Sequence, residues 1–253
     1  MSEYVKWDIY DQGYGMITLH RPERRNALSL DMIEEFHRLL WEARDLDLKA
    51  LVITGAGTQA FCAGGDLNDF HAGLSSQEAF SALYPMKEAL YELSRFPVPT
   101  IALLNGHARG GGCELATACD FRYAAEASTI GFVQGELGIS PGWGGGALLY
   151  QRIHPLKAYE MLVQSRIYDT EEAIQTGWLQ GTIREETIAE DIDDILQPFL
   201  SKNIDQVKHF KQQYVKQQIP ISLSADMDDE VRRCSNLWGN DQHKEALKGY
   251  KKS

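Results

Sequence analysis

Hydrophobic and polar positions alternate over residues 4–10, and the alternation resumes over 15–20 after Gly13-Tyr14-Gly15. A period of two reads as paired strands, here ended by Arg21-Pro22. The period then lengthens. Behind Ser29, a good N-cap, apolar residues fall at Ile33, Phe36, Leu40 and Ala43, three or four apart, which predicts a helix. KALVIT at 49–54 is a continuous apolar run and predicts a buried strand, broken by Gly55-Ala56-Gly57. The alternation of types recurs: an amphipathic helix over 77–95, a break at Pro97 and Pro99, a buried strand TIALLN at 100–105, a short helix opened by Gly110-Gly111-Gly112 and running through Cys119, and a strand DFRYA at 120–124. Strands alternating with helices predict an α/β layer structure.

After about residue 183 the strand signals stop. Residues 185–200, 203–218, 221–236 and 240–249 read as helices, with joints expected at Pro198 and Pro220. The chain therefore divides into a core over 1–183 and a helical region over 184–253. That tail is too small to hold a core of its own and should dock on the main body or on a neighbouring subunit. Its basic stretch, with Lys202, Lys208, Lys211 and Lys216, reads as a solvated helix face.

Composition narrows the function. The 253 residues carry 25 Lys+Arg against 36 Asp+Glu, a net charge of −11, which argues against a nucleic-acid partner. No apolar stretch approaches the roughly 18–20 residues that cross a bilayer, and the first ten residues lack an apolar signal core, so a cytoplasmic protein without a membrane partner is expected. Cys62, Cys113, Cys119 and Cys234 form no C-x-x-C pair, and no histidine cluster has metal-ligand spacing. They read as buried, reduced thiols, and no metal is expected.

Three glycine-rich segments are the candidate chemistry: Phe61 to Leu67, Asn105 to Glu114 and Gly138 to Gly146. The first two each follow a buried strand. Glycine permits positive φ and close approach of backbone to a ligand, and N–H groups at a helix start are unpaired. Gly65 and Gly111 could together form an oxyanion hole; alternatively, the glycines only permit tight turns and close packing. The segment lacks the Lys-Ser/Thr ending of a phosphate-binding P-loop. Glu114, three residues after Gly111 in one turn of helix, would lie near anything held on the Gly111 N–H, as an acid–base group or as a capping or surface residue.

RPERRNALS at 21–29, FCAGGDLNDF at 61–70, NGHARGGGCELATACDFRYA at 105–124 and LGISPGWGG at 137–145 together resemble the crotonase superfamily, the enoyl-CoA hydratase/isomerase family. The resemblance implies a ClpP-like spiral of repeated ββα units with a C-terminal helical trimerisation region, assembled as a homotrimer or a dimer of trimers. It implies an acyl-CoA thioester as substrate, with coenzyme A carried as part of that substrate and no separate cofactor. It assigns the oxyanion hole to Gly65 and Gly111 and the acid–base role to Glu114. Substrate-binding positions would be Arg25, Ala27, Ala63, Asp66, Leu67 and Asn68, with Lys248, Lys251 or Lys252 near the CoA phosphates.

One position departs from the family pattern. Hydratases of this family use a second glutamate, and Gln134 stands in its place; Glu136 is two residues on and is not its substitute. An amide can hold a water or a carbonyl but cannot exchange a proton. Decarboxylation of a short alkylmalonyl-CoA tolerates that loss, since departure of CO₂ leaves an enolate needing one protonation. The F-V-x-x-E-x-G-I-x-P-x-W-G-G pattern at 132–145 and Leu237-Trp238-Gly239 also resemble the ethylmalonyl-CoA decarboxylase branch, with Trp143 expected to wall the acyl pocket. The leading reading is thus a crotonase-family lyase, and the competing readings are a hydratase or double-bond isomerase using Glu114 alone and a non-catalytic protein binding CoA or RNA. His107 reads as a packed or surface residue. Arg109 either faces solvent or recognises a substrate carboxylate.

Overall fold

The computed structural model describes residues 4–184 and 188–250. Strands β1 (Val5–Tyr10) and β2 (Tyr14–Leu19) form the expected antiparallel hairpin. Helix α1 (Leu30–Ala43) starts at Ser29, whose hydroxyl accepts from the Met32 N–H, and buries Ile33, Phe36, Leu40 and Ala43. From there the chain repeats one pattern. Strand β3 (Ala50–Gly55), β4 (Ala60–Cys62) and α2 (Ser76–Ser94) are followed by β5 (Thr100–Leu104), β6 (His107–Arg109) and α3 (Gly111–Ala118), and then by β7 (Phe121–Ala125), β8 (Thr129–Gly131) and α4 (Gly145–Arg152). These are the ββα units the resemblance implied.

Each unit places its first strand in one sheet and its second in another. With β9 (Tyr168–Asp169) and β10 (Gly181–Ile183) added, the larger sheet has six strands in the order β1-β2-β3-β5-β7-β10, and the smaller has four, β4-β6-β8-β9. Between α4 and β10 lie α5 (Pro155–Gln164), β9 and α6 (Thr170–Gln175). Strands β3, β5 and β7 pair in parallel, and β3 and β5 are buried on both faces with largely apolar side chains, as strands covered on both sides must be. One face meets the main core with α1 and α2. On the other, Val52, Ile101 and Leu103 pack with Leu196 from α7 (Ile188–Leu200).

The four tail helices form as expected: α7, α8 (Ile204–Gln218), α9 (Leu223–Leu237) and α10 (Asp241–Tyr250). Residues 185–187 of the expected first helix lie outside the described residues. Pro220 separates α8 from α9, but Pro198 is not a joint. It lies inside α7, near its end, and the turn continues past it with the Ser201 N–H on the Gln197 carbonyl. A proline this close to a helix C-terminus removes one bond without ending the helix.

The basic face of α8 is only partly solvated. Lys211 is 4% exposed and donates to both carboxylate oxygens of Asp120 at 2.6 and 2.5 Å. Asp120 also accepts from the Thr100 N–H at 2.9 Å and lies 3.6 Å from Arg152. Burial holds Lys211 below its ordinary pKa, against the pull of Asp120. This ion pair ties the tail to the α3–β7 junction. Lys211→Ala, which leaves Asp120 with weaker compensation, is expected to destabilise the fold by about 3–5 kcal/mol in a urea melt, and Lys211→Met by less. Equal melts for Lys211→Ala and the parent would contradict this.

Candidate active site

Parallel pairing in the smaller sheet gathers the glycine segments. Strand β4 pairs with β6 (Ala60↔His107, Cys62↔Ala108) and β6 with β8 (Ala108↔Ile130, Arg109↔Gly131). Parallel strands end on the same edge, so the loops after Cys62, Arg109 and Gly131 emerge side by side. The first carries Gly65, the second opens α3 at Gly111, and the third leads to Gln134.

The backbone of these loops is arranged with unpaired donors. Leu28 and Gly65 form a parallel bridge, in which the Leu28 N–H reaches the Gly64 carbonyl (2.8 Å) and the Asp66 N–H reaches the Leu28 carbonyl (2.9 Å). In such a bridge the N–H of Gly65 itself faces away from Leu28. Gly111 begins α3 behind Gly110, which has φ 49°. Neither the Gly65 nor the Gly111 N–H has a hydrogen-bond partner among the described residues. The loops touch: a Cβ on Gly64 would stand 3.3 Å from the Gly111 nitrogen.

Glu114 is 2% exposed and is held by four N–H donors. Its Oε1 accepts from Gln134 Nε2 at 2.9 Å and from the Gly142 N–H at 3.3 Å. Its Oε2 accepts from the N–H groups of Trp143 and Gly145, both at 2.9 Å. Burial pushes the Glu114 pKa above its ordinary value, and the Trp143, Gly145 and Gly142 amides, with Gln134, pull against that rise. Gln134 is therefore beside Glu114, in direct contact, and 6% exposed. Glu136 is exposed.

Trp143 is buried and stacks edge-on against Phe70, with ring centroids 5.9 Å apart. Its benzo edge occupies the place where a Cβ of Gly111 would be. The tryptophan and the glycine thus require each other. In the same way Gly145 admits the Glu114 side chain against the start of α4.

These groups line one cavity of about 530 Å³, together with Arg24, Arg25, Ala27, Ala63, Asp66, Leu67 and Asn68. Leu83, Ile139, Cys234, Trp238, His243 and Leu247 supply further wall, the last four from the helical tail. Of the substrate-binding positions expected from the sequence, Arg25, Ala27, Ala63, Asp66, Leu67, Asn68 and Trp143 line this cavity, and Lys248 does not. A larger groove of about 900 Å³ between α1 and α2, lined by Trp41 and Pro85 among others, contains none of the glycine-segment residues.

Asp66 serves its own loop. Burial raises its pKa, but the Asn68 N–H and the Arg21 guanidinium, 2.9 Å away, outweigh that and hold the carboxyl below its ordinary range. Arg109 lines the cavity, half-buried, with its guanidinium engaged by backbone. It donates to the carbonyls of Ala108 (2.9 Å) and Thr129 (2.6 Å) and to the Thr129 hydroxyl, bracing β6 against β8. His107 is exposed and accepts the Thr129 N–H. Lys248 pairs with Glu245, while Lys251 and Lys252 lie outside the described residues. The four cysteines are buried and free, and burial pushes Cys62, Cys113 and Cys119 up to about 12.

Two features escaped sequence reasoning. The amides of Gly142, Trp143 and Gly145 hold Glu114, which a glycine-rich segment suggests only in general terms. Glu230 on α9 reaches the same helix start, donated to by Gly146 and Ala147. Its signal was an acid among the apolar positions Met227, Val231 and Cys234.

The enoyl-CoA hydratase/isomerase family model matches residues 10–253. Ethylmalonyl-CoA decarboxylase of Gallus gallus is 39% identical over 172 residues, which cover 68% of this chain and 57% of that protein. The chain thus spans less than two thirds of that relative's length. Crotonyl-CoA hydratase of Syntrophomonas wolfei is 34% identical over 195 residues, 76% of this chain and 74% of the relative. The crystal structure of an enoyl-CoA hydratase from Bacillus halodurans superposes with a TM-score of 0.88 at 22% identity, covering 97% of this chain and 99% of that one. The fold is the crotonase fold, and the chain belongs to the enoyl-CoA hydratase/isomerase family. It is a crotonase-family enzyme, and the family acts on acyl-CoA thioesters.

The Gly111–Trp143 contact is testable. Gly111→Ala alone is expected to cost about 1–3 kcal/mol through overpacking. Combined with Trp143→Ala it should cost at least about 1 kcal/mol less than the two single losses summed, measured by denaturant unfolding. Strict additivity would mean the two residues do not share this space.

Proposed function

We propose that the protein decarboxylates a short alkylmalonyl-CoA through a thioester enolate. The observation that carries this reading is the Gln134–Glu114 hydrogen bond of 2.9 Å, which leaves one ionisable carboxyl where a hydratase of this family uses two. The free N–H groups of Gly65 and Gly111 serve as the oxyanion hole for the thioester oxygen. Breaking the bond from Cα to the carboxyl group sends its electron pair into the thioester, where negative charge on oxygen is met by fixed donors. CO₂ departs, and Cα takes one proton. Glu114, withdrawn from water and raised in pKa, is the acid–base group beside that carbon.

The relatives support the choice, since proteins named ethylmalonyl-CoA decarboxylase are among them. The surroundings fit as well. Trp143, Phe70, Leu83 and Ile139 make the cavity wall apolar, which suits a short alkyl chain and favours neutral CO₂ over a carboxylate. Arg24 and Arg25 on the same cavity suit the phosphates of CoA. Exposed Leu156, Tyr159 and Val163 on α5 offer a surface for the trimer the resemblance implies.

A hydratase or isomerase acting through Glu114 alone is the second reading, supported by the relative named crotonyl-CoA hydratase. Purified protein is to be incubated with ethylmalonyl-CoA, methylmalonyl-CoA and crotonyl-CoA, with products followed by mass. Butyryl-CoA and CO₂ from ethylmalonyl-CoA are expected; consumption of crotonyl-CoA alone would overturn the decarboxylase reading. Glu114→Gln should lower kcat by roughly 10²–10⁴-fold. Gln134→Glu, which adds a second carboxyl, should raise hydration of crotonyl-CoA relative to decarboxylation.

A further inference from the structure

Two asparagines meet at the turn that joins the larger sheet to the smaller. Asn26, fully buried in the stretch after β2, accepts the Arg21 N–H on Oδ1 at 3.0 Å and donates from Nδ2 to the carbonyls of Ala56 (3.0 Å) and Ala60 (2.7 Å). Asn105, half-buried just after β5, accepts the Gly55 N–H on Oδ1 at 2.9 Å and donates from Nδ2 to the carbonyls of Gly57 (2.8 Å) and Ala60 (3.2 Å). The Ala60 carbonyl thus takes both amides. A Cβ on Gly55 would stand 2.7 Å from Asn26 Nδ2 and 2.7 Å from Asn105 Oδ1, so this glycine lets the two side chains close on the turn. Neither amide can be turned over, because each would then set an oxygen against two carbonyls. Asn26 and its neighbour Arg25 also both have φ 53°. Left-handed backbone at such residues costs energy and persists only where the surroundings fix it.

We propose that Asn26 and Asn105 are positioning residues, which set the Gly65 and Gly111 N–H groups against one another by fixing both loops to the Ala60 carbonyl. This rests on those N–H groups being the oxyanion hole, and not on which thioester is the substrate.

Each amide leads to one donor by a short, bonded route. Beyond Asn26 the chain reaches Leu28, which holds the Gly64 carbonyl and the Asp66 N–H on either side of Gly65, while the Arg25 carbonyl takes the Ala63 N–H at 3.1 Å. Beyond Asn105 it runs through β6, paired with β4 at Ala108↔Cys62, to Gly111. Ala60 itself opens β4, which leads to Gly65. Three segments therefore share one oxygen at their base and carry the two donors at their tips. The tips tolerate little displacement. Gly64 lies against the Gly111 nitrogen, and Gly112 has no room for a Cβ against the Cys62 carbonyl. Fixed donors stabilise an oxyanion only when they are already in place, and a shift of about 1 Å is enough to cost catalysis. Neither Asn26 nor Asn105 lines the cavity, so both act on a thioester through the backbone they hold.

The test reads the thioester carbonyl directly. Butyryl-CoA labelled with ¹³C at that carbonyl is bound to the parent, N26A, N105A, the double variant and V52A, and its C=O stretch is followed by difference infrared spectroscopy. V52A loosens the other face of the larger sheet and controls for lost stability. N105D keeps an acceptor for the Gly55 N–H, removes only the donor, and replaces N105A should that variant not fold. The parent and V52A should move the stretch to lower wavenumber, as donors on the oxygen do. N26A and N105A should lose most of that shift while still binding the thioester, and the double variant should match the singles, since both amides act on one carbonyl. With ethylmalonyl-CoA each single should lower kcat by roughly 10²-fold and leave KM within a few-fold. A parent without the shift overturns the oxyanion hole and this proposal together. A parent shift that N26A and N105A keep, or that V52A loses as well, overturns the positioning role and leaves the oxyanion hole standing. The infrared arm decides even if ethylmalonyl-CoA is not turned over.

Discussion

The carboxylate of Glu114 joins stretches of chain that are far apart in sequence. It rises from the first turn of α3, and its four donors come from Gln134 after β8 and from the turn that opens α4. A buried carboxylate without such partners would be strongly disfavoured, and N–H groups on a charged acceptor are among the stronger hydrogen bonds. The loop from Gly138 to Gly145 is therefore shaped around one side chain. Trp143 is placed by its own amide on Glu114, so the wall of the cavity and the charge within it are set by the same bond.

That arrangement depends on a scaffold that delivers three loops to one edge. The larger sheet does this indirectly, by spacing the units so that β4, β6 and β8 can pair in parallel. The tail then closes the structure from two sides. The Lys211–Asp120 pair anchors α8 behind α3, while α9 sends Glu230 to α4 and Cys234 to the cavity. Core and tail meet at the chemistry, and the four tail residues on the cavity wall make the helical region part of the site.

Much of the architecture could be read from spacing alone. The alternation over 4–10, the N-cap at Ser29 and the apolar runs at 49–54 and 100–105 each correspond to an element, because each is long enough for its period to show. The smaller sheet was invisible. Its strands β4, β6, β8 and β9 are three, three, three and two residues long, too short to display any period. They exist because neighbouring strands hold them. Pro198 misled for a related reason: a local rule about proline was outweighed by the packing of α7. The glycine segments identified the loops, and the family resemblance assigned residues within them. Sequence did not show the contact between Gln134 and Glu114, which arises from parallel register, nor the role of Lys211, which looks like any other lysine on its helix.

The enclosed cysteines carry a practical implication. A sulfhydryl walled off from solvent and kept protonated is invisible to maleimide dyes, and all four here are buried and unbridged. Cys62, Cys113 and Cys119 thus form a silent background for site-directed labelling, and Cys234, on the cavity wall, is the one natural sulfur to replace. One cysteine introduced at an exposed position such as Trp41 or Ile221 would then be the sole reactive handle. Fluorophores could report how the tail moves against the core after that single replacement.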